Sequence, residues 1–232
     1  AGYSYGNIEN CSVSGSVSIS GTNSFAGGVV GFQFGGSITG CSSSATVNAG
    51  IIAGGVAAMT DSGASLTGCY ATGNVTVESS GSGTCFAGGV VGDNCASTTL
   101  QACYATGSVT CSGSGTIYAG GVTGSNDGGT LTACYHANGT VSATNGTTGG
   151  VSGRNYDLTA SLPATITACY WGSNGQTQGI GYNKGGTDET KLVDGTTVTW
   201  QTAVAAMNAA LSGKGWQYEL KDGNSLPILK KQ

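Results

Sequence analysis

The sequence predicts an all-β chain: a single-stranded parallel β-solenoid of about five to six coils with a small α+β cap at its C-terminus. Three observations carry this. Two sequence marks alternate at a spacing of about thirty residues, Gly is abundant (44) while Pro is rare (2), and a helical apolar stripe occurs only near the C-terminus.

The first mark places Ile or Leu three residues before Cys: Ile8 and Cys11, Ile38 and Cys41, Leu66 and Cys69, Leu100 and Cys103, Leu131 and Cys134, Ile166 and Cys169. The Cys-to-Cys steps are 30, 28, 34, 31 and 35. The second mark falls between them: Ala26-Gly27-Gly28-Val29, Ala53-Gly54-Gly55-Val56, Ala87-Gly88-Gly89-Val90, Ala119-Gly120-Gly121-Val122 and Gly149-Gly150-Val151. Such a period means repeated supersecondary units, each too small to bury its own apolar face and each stabilised by stacking on the next.

Within a repeat the pattern is that of strands. From Cys69 to Val77, alternate residues give Cys69, Ala71, Gly73, Val75 and Val77 on one face and Tyr70, Thr72, Asn74 and Thr76 on the other, so the first set faces the core. In the second strand Val29, Val56, Val90, Val122 and Val151 are constant and point inward, and parity carries Phe25, Ile52, Phe86 and Tyr118 inward with them. Ser- and Gly-rich runs such as Ser79 to Gly83 and Ser112 to Gly115 make the corners. Coils stacked at about 4.8 Å give a rod on the order of 25 to 30 Å long. The period-two apolar pattern argues against disorder, which the Ser, Thr, Asn and Gly content alone would suggest.

The predicted solenoid spans 1–183 and the cap 184–232, a segment holding six of the seven basic residues. There Trp200, Val204, Met207 and Leu211 form a helical stripe, with Thr199 placed as N-cap and Gly213 at the end. Trp216 to Leu220 alternate like a strand, Lys221 to Asn224 turn, and Leu226 to Leu229 close the chain. The cap is expected to cover the open end of the last coil, since an uncovered sheet edge is adhesive.

Composition narrows the function. Arg154 is the one basic residue before Lys184, so the cationic surface that phosphate contacts require is missing and nucleic acid is not an expected partner. No stretch approaches the ~20 apolar residues of a membrane span, so no membrane insertion by this segment is expected. Of nine Cys, six form the ladder (Cys11, Cys41, Cys69, Cys103, Cys134, Cys169) and should be small buried hydrophobes, because parallel stacked side chains diverge from disulfide geometry. Parity places Cys111 inward and Cys85 outward, against a bridge between them. With His136 alone and no CxxC spacing, no metal or other cofactor is expected. The acids Glu9, Asp61, Glu78, Asp93, Asp127 and Asp157 are spread over different coils with only Arg154 as a basic partner, so no catalytic cluster is evident and the chain reads as a non-enzyme. Asn94, Asn126 and Asn155 align as a hydrogen-bonded ladder. Tyr70, Tyr104, Tyr135 and Tyr170 occupy the outward parity beside the ladder Cys; they are the candidate ligand-binding residues if exposed, or a stacking ladder packed under a loop if not.

The run Cys69-Tyr70-Ala71-Thr72-Gly73, followed at a distance by Ala87-Gly88-Gly89-Val90-Val91-Gly92, resembles the GLUG-motif repeat of large bacterial surface proteins, adhesin-like proteins and accessory regions of some immunoglobulin A peptidases. The likeness covers roughly residues 8 to 171, with departures at Ala57-Ala58 and at an extra residue between His136 and Thr140 that implies a bulge. It implies a secreted or cell-surface bacterial β-helix, joined to other domains of the same polypeptide. An adhesin-like stalk or binding surface for a host glycan or extracellular protein is the expected role, with an accessory region of a larger secreted peptidase or glycan-active enzyme as the alternative. No peptidase residues come with the repeat.

Overall fold

The computed structural model describes residues 1–222 and 225–232, so Gly223 and Asn224 of the expected Lys221 to Asn224 turn lie outside the described residues. Residues 1–192 form about six stacked coils with parallel strands in four sheets. Sheet I has seven strands: Tyr3–Ser4, Val30–Phe34, Ala57–Asp61, Val91–Asn94, Thr123–Asp127, Ser152–Tyr156 and Ile180–Lys184. Sheet II carries the Ile/Leu and Cys-Tyr segments, from Ile8–Glu9 to Thr165–Trp171 and Thr187–Leu192. Sheets III (Ser16–Ser18 to Val141–Ala143) and IV (Phe25–Gly27 to Thr147–Gly149) have five strands each.

Like residues stack because the register is the same from coil to coil: Leu66 pairs with Ile38 and Leu100, and Val75 with Val47 and Val109. The interior is split in two. One core, between sheets I and II, holds Ile38, Leu66, Leu100, Leu131, Ile166 and the buried ladder thiols Cys41, Cys69, Cys103, Cys134 and Cys169. The other, between sheets III and IV, holds Ala26, Ala53, Ala87, Ala119, Val47, Val75 and Val109. Each fully buried Leu or Ile contributes roughly 1.5 to 3 kcal/mol, so stacking rather than any single coil holds the rod together.

The division lies at the Gly-Gly step, whose second glycine abuts sheet II. A Cβ placed on Gly89 would stand 2.6 Å from the Cβ of Ala105 and 2.1 Å from the Gly121 carbonyl oxygen. Ser43, Ala71, Ala105, His136 and Trp171 occupy this waist in successive coils. His136 is fully buried there, its Nε2 2.9 Å from the Gly107 carbonyl and its Nδ1 accepting from the Asn174 amide at 3.0 Å. Burial pushes its pKa down to about 4, so it is a neutral core residue at physiological pH.

At the corner between sheets I and II runs the polar ladder expected from Asn94, Asn126 and Asn155. Thr60 donates to Asn94 at 2.9 Å, Asn94 to Asn126 at 2.7 Å, Asn126 to Asn155 at 2.8 Å and Asn155 to Asn183 at 3.1 Å. The residue before each ladder Cys has a left-handed backbone, including Ala102, Ala133 and Ala168, and the thiol turns back onto the carbonyl two residues upstream, as from Cys103 to Gln101 at 3.3 Å.

Four expectations require correction. Phe25, Ile52, Phe86 and Tyr118 point outward, because the chain turns at Gly-Gly and alternation does not survive a turn; Ala26, Ala53, Ala87 and Ala119 face the core instead. For the same reason Cys85 points inward, buried near Ile117 and Cys111, and it is unpaired. The solenoid extends past residue 183, since Ile180–Lys184 pairs with Ser152–Tyr156 and Thr187–Leu192 with Thr165–Trp171. Finally, the C-terminal segment covers the flank, not the end. The last strands are largely exposed and carry Lys184, Asp188, Glu189 and Lys191, charges that blunt an open edge.

That segment comprises helix α1 (Trp200–Ala210) and an antiparallel pair, Trp216–Glu219 with Ile228–Lys231. Thr199 caps the helix as expected: its side chain accepts from the Thr202 amide at 3.3 Å, while Thr202 Oγ1 accepts from the Thr199 amide at 3.0 Å. Met207, Leu211 and Ala203 are buried against the tyrosine stripe. Tyr70, Tyr104 and Tyr135 stack with centroids 5.0 and 4.8 Å apart and planes within 4°, and Trp200 and Tyr218 meet Tyr135 edge-on. The Tyr218 hydroxyl donates toward the Cys103 and Ala133 carbonyls at 3.3 and 3.0 Å.

The thiols provide one check on this fold. All nine cysteines are unpaired and only Cys11 is exposed, so a thiol reagent should label Cys11 rapidly in the native protein and all nine in denaturant without reductant. Fewer than seven in denaturant would mean that the ladder is cross-linked. The roofed stripe provides another. Tyr135→Ser should cost about 3 to 5 kcal/mol in chemical unfolding, whereas a loss within about 0.5 kcal/mol would place the ring in solvent.

Candidate functional site

The four candidate tyrosines do not form an open platform. Tyr104, Tyr135 and Tyr170 are buried and Tyr70 is half-buried beneath the C-terminal segment, because phenol rings stacked along a flat flank present an apolar surface that the helix and hairpin cover. The stripe is the internal seam between rod and roof.

Elsewhere the solenoid has an open concavity. Where sheet IV turns into sheet I the outer surfaces of the two sheets face each other, and small residues bring them close. A Cβ on Gly92 would fall 2.5 Å from Ile52 Cγ2 and 2.7 Å from the Ala58 carbonyl oxygen. Along one wall, in register, stand Phe25, Ile52, Phe86 and Tyr118. Along the other stand Tyr3, Phe32, Met59, Asp93, Ser125, Arg154 and Tyr182. The groove thus runs parallel to the stacking axis, with residues of successive coils in register on each wall.

Its two halves differ in chemistry. In the C-terminal half the Arg154 guanidinium lies 5.0 Å from the Phe86 ring, 5.2 Å from Tyr118 and 5.6 Å from Tyr156, within cation–π range. The same guanidinium pairs with the Asp127 carboxylate, and its Nε donates to Ser125 Oγ at 3.3 Å, which in turn donates to Asp127 at 2.9 Å. Asp93 is beside them, only 6% exposed, with one carboxylate oxygen lacking any hydrogen-bond partner. Burial first, and the negative charge of Asp127 second, push its pKa up to about 7, against the lowering pull of Cys95, Arg154 and Ser125. The acids that look scattered along the sequence therefore do converge in part: Asp93, Asp127 and Arg154 come from three successive coils.

The N-terminal half is aromatic. Tyr3 and Phe32 meet at 4.7 Å, Tyr5 and Phe34 at 5.7 Å, and Phe32 and Phe34 at 6.0 Å, all edge-to-face. A 450 Å³ pocket opens among Tyr3, Ile19, Phe25, Phe32 and Met59. Tyr5 is 70% exposed, and Tyr3, Phe25 and Phe34 also reach solvent. Among the described residues no group of three or more His, Cys, Asp or Glu side chains is arranged to hold a metal ion. Alternation in the sequence turns Phe25, Ile52, Phe86 and Tyr118, the row before each Ala-Gly-Gly, inward; the Gly-Gly turn is the signal that alternation breaks there.

The buried carboxylate gives a pH-dependent test. A carboxyl whose folded pKa lies above its unfolded value keeps its proton in the native state, so its contribution to stability is present at low pH and lost as pH rises toward about 7. Asp93→Asn should therefore match the parent near pH 4 and exceed it near pH 8 by on the order of 4 kcal/mol in denaturant unfolding. Equal stabilities at pH 8 would show that Asp93 is ionised without cost.

Comparison with known proteins agrees with this architecture. Residues 22–48 match the family described as the GLUG motif. No curated protein matches the sequence. Among solved structures, the crystal structure of a "putative immunoglobulin A1 protease" from Bacteroides ovatus is similar over 99% of this chain and 70% of its own, with a TM-score of 0.61 and 17% identity, a level that speaks to fold alone. The matched segment runs from the corner before Phe25 through the Ala-Gly-Gly-Val step and past Cys41 into the next coil, the unit that the remaining coils repeat. The chain is a parallel β-solenoid in which residues 22–48 match the GLUG motif.

Proposed function

We propose that this chain is a non-catalytic module of a bacterial surface or secreted protein, adhesin-like, that presents the groove between sheets IV and I to an extracellular ligand. The observation that carries this reading is the contrast between two aromatic surfaces: the tyrosine stripe is roofed by the chain's own helix and hairpin, whereas the groove keeps Tyr3, Tyr5, Phe25 and Phe34 in solvent. Exposed aromatic surface of this kind is characteristic of interaction sites. The extracellular setting is supported by the GLUG repeat and by the few charges of the rod. No helix among the described residues is long and apolar enough to cross a membrane.

A second reading, an accessory region of a larger secreted peptidase or glycan-active enzyme, draws on the similarity to the Bacteroides ovatus protein and on the convergence of Asp93, Asp127 and Arg154. Against catalysis, Arg154 is committed to Asp127 and the unpartnered oxygen of Asp93 is covered by its neighbours.

An array of host glycans and extracellular matrix proteins should return a ligand whose binding is lost in Phe25→Ser/Phe34→Ser, with a melting temperature within a few degrees of the parent because both rings are already partly in solvent. Undiminished binding by that variant would move the binding surface elsewhere. Turnover of a glycan or peptide by the isolated chain, abolished by Asp127→Asn, would favour the second reading.

A further inference from the structure

We propose that the N-terminal half of the groove docks a cationic, arginine- or lysine-bearing extended segment of a partner protein, with Asp61 as the pairing carboxylate. This rests on the groove being the module's binding surface and adds the chemistry of the ligand. The chain itself supplies the precedent. In the C-terminal half an internal guanidinium, that of Arg154, fills the groove by lying over aromatic rings and pairing with Asp127.

The N-terminal half has the same parts without the cation. Asp61 directly follows Thr60, and Asp127 directly follows Asn126, both members of the corner ladder, so the two carboxylates hold the same position in their coils. Each has an aromatic ring as its cross-coil neighbour: Phe34 beside Asp61, Tyr156 beside Asp127. Among the described residues the Asp61 carboxylate accepts the backbone amide of Ser62, and the ion pairs are Arg154 with Asp127 and Lys230 with Glu219, neither of which reaches it. Tyr3, Tyr5, Phe32 and Phe34 cluster next to it, Phe34 being its direct neighbour in the sheet. One coil further along, Asp93 pairs in register with Met59 and keeps a carboxylate oxygen without a partner, since the nearby guanidinium is committed to Asp127.

Charge complementarity selects the occupant. The Asp61 carboxylate, without a countercharge among the described residues, repels phosphate, sulfate and uronate ligands, and a neutral sugar would leave it uncompensated. The rings meet edge-to-face at 77°, 88° and 62°, which leaves no single flat face for a pyranose but suits the insertion of a planar guanidinium or an alkyl-ammonium stem between them. A groove parallel to the stacking axis accommodates a segment in extended conformation.

The test uses the full chain and a fluorescein-labelled Gly-Arg repeat peptide, with the Gly-Gln repeat peptide as its neutral counterpart, read by anisotropy. The Gly-Arg peptide should bind, lose affinity roughly tenfold or more between about 0.05 and 0.5 M salt, and lose roughly tenfold in Asp61→Asn. Glu78→Gln removes the same unit of charge from an exposed position on sheet III and should leave affinity unchanged. Tyr5→Ser, at a ring already largely in solvent, gives a second variant expected to weaken binding without loss of fold. Equal losses in Asp61→Asn and Glu78→Gln, or equal binding of the Gly-Gln peptide, would overturn the proposal. If the array returns a neutral glycan that competes at the groove while the Gly-Arg peptide does not bind, the groove stands as the binding surface and the cationic class is overturned.

Discussion

The contact between the second glycine of each Gly-Gly step and the facing residue of sheet II is the constraint on which the rest of the molecule depends. At Gly89 and Ala105 the two chains approach so closely that a single added methyl would overlap both a side chain and a backbone carbonyl. This pinch divides the interior into two narrow cores, each filled by a row of like residues, instead of one broad core that coils of about thirty residues lack the bulk to fill. It also folds sheets IV and I toward each other on the outside. The groove is the external consequence of the internal pinch, and it continues along the stack for the same reason that the cores do.

The C-terminal segment answers a different need. A rod with stacked tyrosines along one flank has an apolar strip that water solvates poorly, and α1 with its hairpin removes it. The roof is keyed to the rod through polar groups as well: the Tyr218 hydroxyl reaches two sheet II carbonyls, and the indole of Trp216 lies where a Cβ on Gly68 would stand. The last coil meanwhile keeps an exposed edge carrying charge of both signs, which hinders sheet-to-sheet association.

Burying Asp93 with an unpartnered oxygen is unfavourable for folding, and nothing in the two cores requires a carboxylate there; Met59, Ser125 and Arg154 hold the same position in other coils. Polar groups held at a cost to stability concentrate at sites of interaction. The groove thus combines features that solvation alone would select against, namely exposed rings and a buried carboxyl with an unpartnered oxygen.

The sequence by itself determined the repeat, the parallel stacking, the ladders of Cys, Leu and Asn, and the capped C-terminal helix, because each depends on identical residues meeting identical residues at a fixed period or on contacts within one turn of chain. Thr199 with Thr202, and Asn94 with Asn126, needed no knowledge of the third dimension beyond that register. What only the tertiary structure decided lies at the corners and on the flank. Alternation gives the face of a side chain only while the strand runs straight, and the Gly-Gly turn resets it, so Phe25, Ile52, Phe86 and Tyr118 face out and Cys85 faces in. The aspartates and Arg154 meet because coils about thirty residues apart lie next to one another at that corner. Whether a tyrosine on the outer face meets water or protein depended on where the helix and hairpin come to rest, and that is set by complementarity between two surfaces distant in sequence, which no local pattern encodes.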